Sequence, residues 1–69
     1  MEAEMVRREF TREKINDMGE EPFMDMHRLT MTQVVWDDHK DTLVFYFTEN
    51  TWIYLILKHP ELQDWYLRE

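Results

Sequence analysis

Apolar and polar positions along this chain change their spacing from segment to segment. Residues 2–18 are rich in Glu, Arg, Met and Lys, with no proline or glycine, which predicts an amino-terminal helix. Ala3, Val6, Phe10 and Met18 fall on one broad side of it, whereas Met5 and Ile15 point almost opposite, so the stripe is imperfect. Gly19, the single glycine, stands where a helix needs a left-handed cap, and Pro22 follows as expected just past a helix end. Thr11 offers a second solution, capping a shorter helix over 12–18 and leaving the first ten residues to fray or to order on a partner.

Residues 23–28, Phe-Met-Asp-Met-His-Arg, read as a connector with apolar anchors. A strand is expected over 29–36, where Leu29, Met31 and Val35 alternate with Thr30, Thr32, Val34 and Trp36. Asp37 to Asp41 is polar and lacks the Asn-Gly of a two-residue turn, so a hairpin loop of four or five residues is expected. Thr42 to Phe47, aromatic and β-branched, is the clearest strand. Trp52 to Leu57 is apolar at every position and carries no period. It is read as a third strand, because a tight turn at Glu49-Asn50 would pair Phe47 with Trp52, Phe45 with Tyr54 and Leu43 with Ile56. The alternative is an αββα order with 51–67 helical. His59-Pro60-Glu61 opens a last helix, on which Leu62, Trp65 and Tyr66 share a face.

The expectation is a single α+β domain over 1–69: a three-stranded antiparallel meander between an amino-terminal and a carboxy-terminal helix. Both faces of that sheet would be apolar. Met31, Val35, Leu43, Phe45 and Phe47 fall on one, and Val34, Trp36, Val44 and Tyr46 on the other. A small antiparallel sheet normally leaves one face wet. Contiguous apolar surface beyond a few hundred Å² marks an interaction site.

Composition narrows the class. The chain has 69 residues, no cysteine, and 15 acidic against 8 basic side chains, a net charge of −7. It also has no serine. So small a domain buries only roughly 60% of its unfolded surface and gains from self-association or a partner. Hydrophobic residues at 43% and aromatics at 14% argue against disorder. No apolar run is long enough to span a bilayer, and Glu2 and Glu4 replace the basic start of a secretory signal, so a soluble intracellular protein is expected. The negative charge argues against direct nucleic-acid binding. On a helix, Glu4 with Arg8 and Glu9 with Arg12 would pair.

Candidate chemistry is sparse. Without serine or cysteine the usual nucleophiles are missing, and one glycine cannot build a phosphate-cradling loop. His27, His39 and His59 are not spaced three or four apart as helical metal ligands are. Asp37, His39 and Asp41 alternate like the first ligands of a calcium loop. Thr42 stands where its glycine belongs and Thr48 where its closing glutamate belongs. The adjacent acids Asp37-Asp38 and Glu20-Glu21 would need a desolvated pocket to act as acid and base. No metal, cofactor or enzymatic activity is expected. The six methionines are read as core filling, with Met24 and Met26 the exceptions assigned to an adaptable surface.

The functional expectation is a small acidic protein-binding module. The specific form is an inhibitor, in the style of phage or mobile elements, of a nucleic-acid-handling host enzyme or defence complex. It would act in the host cytoplasm against a partner with a basic surface. Trp36, Asp37, Asp38, Asp41 and Tyr46 are expected to form one aromatic and acidic patch. A homodimer through the Trp36/Tyr46 face is expected beside it. The alternatives are a self-assembling structural or accessory subunit and an acidic DNA mimic.

Overall fold

The computed structural model describes residues 4–66. Its elements are β1 (Met5–Thr11), α1 (Arg12–Met18), α2 (Glu20–Leu29), β2 (Val35–Asp37), β3 (Thr42–Thr48), α3 (Glu49–Lys58) and α4 (Leu62–Trp65). The class is the expected one: an α+β fold with a three-stranded antiparallel sheet and helices towards both ends. The strands, however, come from other residues. Their spatial order is β1-β3-β2, so β3 is central and β1 and β2 are its two edges.

The expected amino-terminal helix divides at Thr11. Residues 5–11 form a strand laid along the whole of β3, from Met5 opposite Thr48 to Thr11 opposite Thr42. Good helix formers are overruled here by tertiary pairing: all seven residues ladder with β3, and Val6 and Phe10 face the core with Arg8 between them on the same face. Residues 5–10 are therefore ordered in the sheet, while residues 1–3 lie outside the described part. Thr11 then caps α1, its hydroxyl accepting the Lys14 N–H at 3.1 Å, as the shorter-helix alternative supposed. The Glu4–Arg8 and Glu9–Arg12 pairs expected of a helix are replaced. Glu9 meets Arg7 and Lys40, and the Arg8 guanidinium stacks on two aromatic rings.

Gly19, at φ 84° and ψ 175°, separates α1 from α2. Residues 23–28 are helical and not a connector. Pro22 sits in the first turn of that helix, where its missing N–H costs no hydrogen bond. Met26 is fully buried and Met24 is exposed, so only one of the pair lies on the surface.

The expected strand over 29–36 is realised only at its ends. Thr30 and Met31 bond the backbone of Tyr46, the Met31 N–H donating to its carbonyl at 2.8 Å. Residues 35–37 pair with 42–44 as β2. The intervening residues 32–34 are outside the sheet.

Trp52 to Leu57 is helical, which corrects the third strand and agrees with the helical alternative for this segment. Thr48 caps α3, its hydroxyl accepting the Thr51 N–H at 3.2 Å, and Glu49 follows in the first turn. Trp52, Leu55 and His59 are buried and Ile56 packs on the core, an i, i+3, i+4, i+7 set hidden within the apolar run. Phe47 and Trp52 do meet, with ring centroids 5.9 Å apart, but across a strand-to-helix corner.

The core lies on one face of the sheet. Phe10, Phe45 and Phe47 face Met18, Met26, Trp52, Leu55 and Leu62 from the four helices. Phe45 touches Phe10 edge-on and stacks on Phe47. The opposite face carries Arg7, Glu9, Val35, Val44 and Tyr46, and charged side chains span it. Arg7 pairs with Glu9 and donates to the Tyr46 hydroxyl at 3.4 Å, while Lys40 lies 3.7 Å from Glu9. Val44 is only 2% exposed beneath them. Among the described residues no helix is long and apolar enough to cross a membrane.

Candidate functional site

The β2–β3 hairpin is closed by its own side chains. Asp37 Oδ1 accepts the N–H groups of His39, at 3.0 Å, and Lys40, at 3.4 Å, which folds the loop back as an Asx turn. Asp41 adopts φ 54°, a left-handed conformation that aspartate tolerates better than most residues. This bend turns its carbonyl to the start of α1, where the Arg12 N–H donates to it at 3.2 Å. The Asp41 carboxylate meets the Arg12 guanidinium, also at 3.2 Å. That guanidinium lies over the Trp36 ring, 4.8 Å from its centroid. Trp36, Asp41 and Arg12 are thus one stack at the end of the sheet. Asp37 closes the loop beside it, and Asp38 points into solvent.

Tyr46 does not belong to this group. The hairpin sets Val35 opposite Val44 and Trp36 opposite Leu43, so Trp36 shares a face with Leu43 and Phe45. Tyr46 is opposite Arg7 on the other face. Trp36 and Tyr46 would share a face only if even positions of the two strands stood opposite one another. The register is odd against even, which separates them. A homodimer through a shared Trp36/Tyr46 face is therefore not available.

Arg12 was missed, although the Thr11 cap already placed it at the first helical position. A second missed feature is a set of exposed acids on α1 and at the start of α2. Glu13 and Asp17 are four apart on α1, and Glu20 and Glu21 open α2 beyond Gly19. None of these four makes an ion pair among the described residues.

The most tightly coupled ionisable group lies elsewhere. Asp25 on α2 receives His59 Nε2 at 2.9 Å, Lys58 Nζ at 3.0 Å and an Arg28 guanidinium nitrogen at 3.3 Å. Facing a carboxylate, Nε2 must carry the proton and donate. Donation from His59 first, then from Lys58 and Arg28, holds the Asp25 carboxyl well below the usual carboxylate range. The cluster joins α2 to the end of α3. Two shallow hollows flank α2 and share His27. One, of about 360 Å³, is lined by Phe23, Met24 and Arg28, and the other, of about 550 Å³, by residues 30–34. The adjacent acids Glu20-Glu21 and Asp37-Asp38 line neither hollow; Glu20, Glu21 and Asp38 are exposed, and Asp37 is half-buried in the hairpin loop.

No protein-family model, curated protein or solved structure matches this chain.

Proposed function

We propose that this chain is a small acidic protein-binding module that works without catalysis. In this reading it inhibits a nucleic-acid-handling enzyme or defence complex of a host cell, in the style of proteins encoded by phage and mobile elements. Its place of action is the cytoplasm. It docks through the hairpin end, with Trp36 and Arg12 as anchors and Asp37, Asp38 and Asp41 around them. Tyr46 is left out of the patch.

The observation that supports this reading is the sorting of charge. Arg7 and Lys40 converge on Glu9, and Arg28 and Lys58 converge on Asp25. Both carboxylates are largely withdrawn from water, with side-chain exposures of 8% and 13%. The four cations gather around these two inner acids and stay partly exposed, whereas Glu13, Asp17, Glu20, Glu21 and Asp38 are exposed without an ion pair among the described residues. An acidic patch of this kind steers a partner of the other sign and raises its rate of encounter. Proteins that grip nucleic acid present such basic surfaces. Tryptophan and arginine are also the side chains on which interface affinity most often concentrates.

The test is a tagged pull-down from host lysate, with and without nuclease, at moderate salt, read by mass spectrometry. A single stoichiometric protein that survives both treatments is the expected result. Its affinity should fall at least tenfold for a folded Trp36→Ala/Asp38→Ala/Asp41→Ala variant. Undiminished binding by that variant would remove the hairpin end from the proposal. Recovery of nothing but copies of the chain would replace the inhibitor with a self-assembling subunit.

A further inference from the structure

β1 is an edge strand, and the direction of its backbone groups follows from its two ends. The Glu49 N–H donates to the Glu4 carbonyl at 3.0 Å, and the Arg12 N–H donates to the Asp41 carbonyl at 3.2 Å. With the β1–β3 register running unbroken between them, even-numbered residues of β1 turn their N–H and C=O groups towards β3. Odd-numbered residues turn theirs outward. Among the described residues the outward N–H groups of Met5, Arg7 and Glu9 meet no acceptor. The Arg7 carbonyl accepts only from the Arg8 guanidinium, at 2.9 Å. A seven-residue strand with one unpaired edge is a template for another strand.

We propose that this edge pairs with β1 of a second copy of the chain. The pairing is antiparallel, across a two-fold axis at Arg8, and joins the two sheets into one. Charge selects both the occupant and the register. Outward-pointing groups require odd residues opposite odd residues. An axis at Arg7 would set Arg7 against Arg7, and one at Glu9 would set Glu9 against Glu9. Like charges directly opposite are unfavourable. An axis at Arg8 sets Arg7 against Glu9 of the second copy, twice, and engages the strand's full length, with Met5 opposite Thr11.

Arg7 and Glu9 already pair along their own strand. The four side chains would therefore form a square, each charge beside one opposite charge and across from another. A strand of unrelated sequence carries no such built-in match. The opposing factor is at the axis, where the two Arg8 residues face each other. Each guanidinium lies over its own Trp52 and Tyr66 rings, 4.8 and 4.7 Å from their centroids, and is held there by its bond to its own Arg7 carbonyl. The Arg7 carbonyl has two lone pairs, so it can accept from Arg8 and from Glu9 of the second copy together. This interface is separate from the hairpin end, and it stands or falls independently of the inhibitor reading.

Sedimentation equilibrium from micromolar to millimolar protein, with amide hydrogen exchange on the same samples, tests it. The mass should rise with concentration from 8.7 kDa towards twice that value. Protection of the Arg7 and Glu9 amides should appear with the dimer, whereas Val6, Arg8 and Phe10 are protected in the monomer already. Arg7→Glu and Glu9→Lys should each weaken self-association at least tenfold, and mixing the two variants should restore it, because every acid then faces a base again. Should Glu9→Lys fail to fold, Arg7→Pro removes an outward N–H without touching the ladder to β3, and it too should weaken the dimer at least tenfold. A monomer at millimolar concentration would overturn the proposal, as would a dimer that both Arg7 variants leave intact. Protection of the Arg7 and Glu9 amides only on addition of a basic protein would assign the edge to a foreign strand and overturn it equally.

Discussion

Asp25 and His59, 34 residues apart in the chain, share a 2.9 Å hydrogen bond that fastens the middle of α2 to the end of α3. The His59 side chain is only 8% exposed and that of Asp25 13%. Removing the carboxylate takes a charged acceptor from three residues at once, of which His59 is the buried one. Asp25→Asn should lower the melting temperature by several degrees at pH 7.

The acid dependence follows from the same carboxylate. Its folded-state pKa is depressed by His59, Lys58 and Arg28. A depressed carboxyl adds stability at pH above its unfolded value, near 4, and loses that contribution as the pH falls through the lower folded value. The stability gap between the parent chain and Asp25→Asn should therefore shrink as the pH drops below about 4. Urea unfolding across that range measures it. A gap that widens on acidification would show that the carboxylate is not held by its cationic neighbours.

Thr48 sits at the junction where β3 becomes α3, and its hydroxyl accepts the Thr51 N–H. Thr48→Ala should destabilise the fold by about 1 kcal/mol, the usual effect of losing such a cap. Thr48→Asp should retain most of it. Equilibrium urea unfolding of the three proteins tests both statements, and equal stability of Ala and Thr would deny the cap its role.

This junction also explains what the sequence disclosed and what it concealed. β3, the hairpin loop at 37–41, the Thr11 cap and the apolar face of Leu62, Trp65 and Tyr66 were all legible, because each rests on local chemistry. α3 was hidden because six apolar residues in a row erase the period by which helix and strand are told apart. The informative signal was Thr48 followed by Glu49, which reads as a helix start once it is not taken for a turn. β1 was hidden for the opposite reason. Arg8 occupies an inward position, between Val6 and Phe10, that a strand of this kind fills with an apolar side chain. Its charge is tolerated only because Trp52 and Tyr66 lie beneath it, a contact set by residues more than forty positions away. In the candidate site, Asp37, Asp38 and Asp41 were legible as a loop. The separation of Trp36 from Tyr46 depends on the hairpin register, which composition does not determine.

Gly19 has open space around the position of a side chain, with nothing within 4 Å of an added Cβ. Its φ of 84° with ψ of 175° is nonetheless a region essentially reserved for glycine. Gly19→Ala should destabilise by about 1–3 kcal/mol through backbone strain alone. Thermal unfolding measures the loss, and a neutral result would mean that the α1–α2 junction relaxes to another geometry.

Trp36 and Arg12 provide a measurable coupling at the hairpin end. A double-mutant cycle with Trp36→Leu and Arg12→Ala, read by urea unfolding, should give an interaction of about 0.5–1 kcal/mol, as for an exposed cation over an aromatic ring. Asp41→Asn should reduce that coupling, since the carboxylate steadies the guanidinium above the ring. Strict additivity would mean that the stack contributes nothing to the folded state.

The central place of β3 has a consequence for how the chain acquires its shape. β1 is synthesised well before the strand that receives it, with α1, α2 and β2 made in between. Its ladder cannot begin to close until Thr42 follows and cannot finish until Thr48 does. Until then Val6 and Phe10 have no sheet to join, and only short-range structure such as α1 and α2 can form. The sheet should therefore assemble late and all at once. Its rate should be governed by the search for this one distant pairing, and a protein with four short helices should fold at the pace of its most non-local strand.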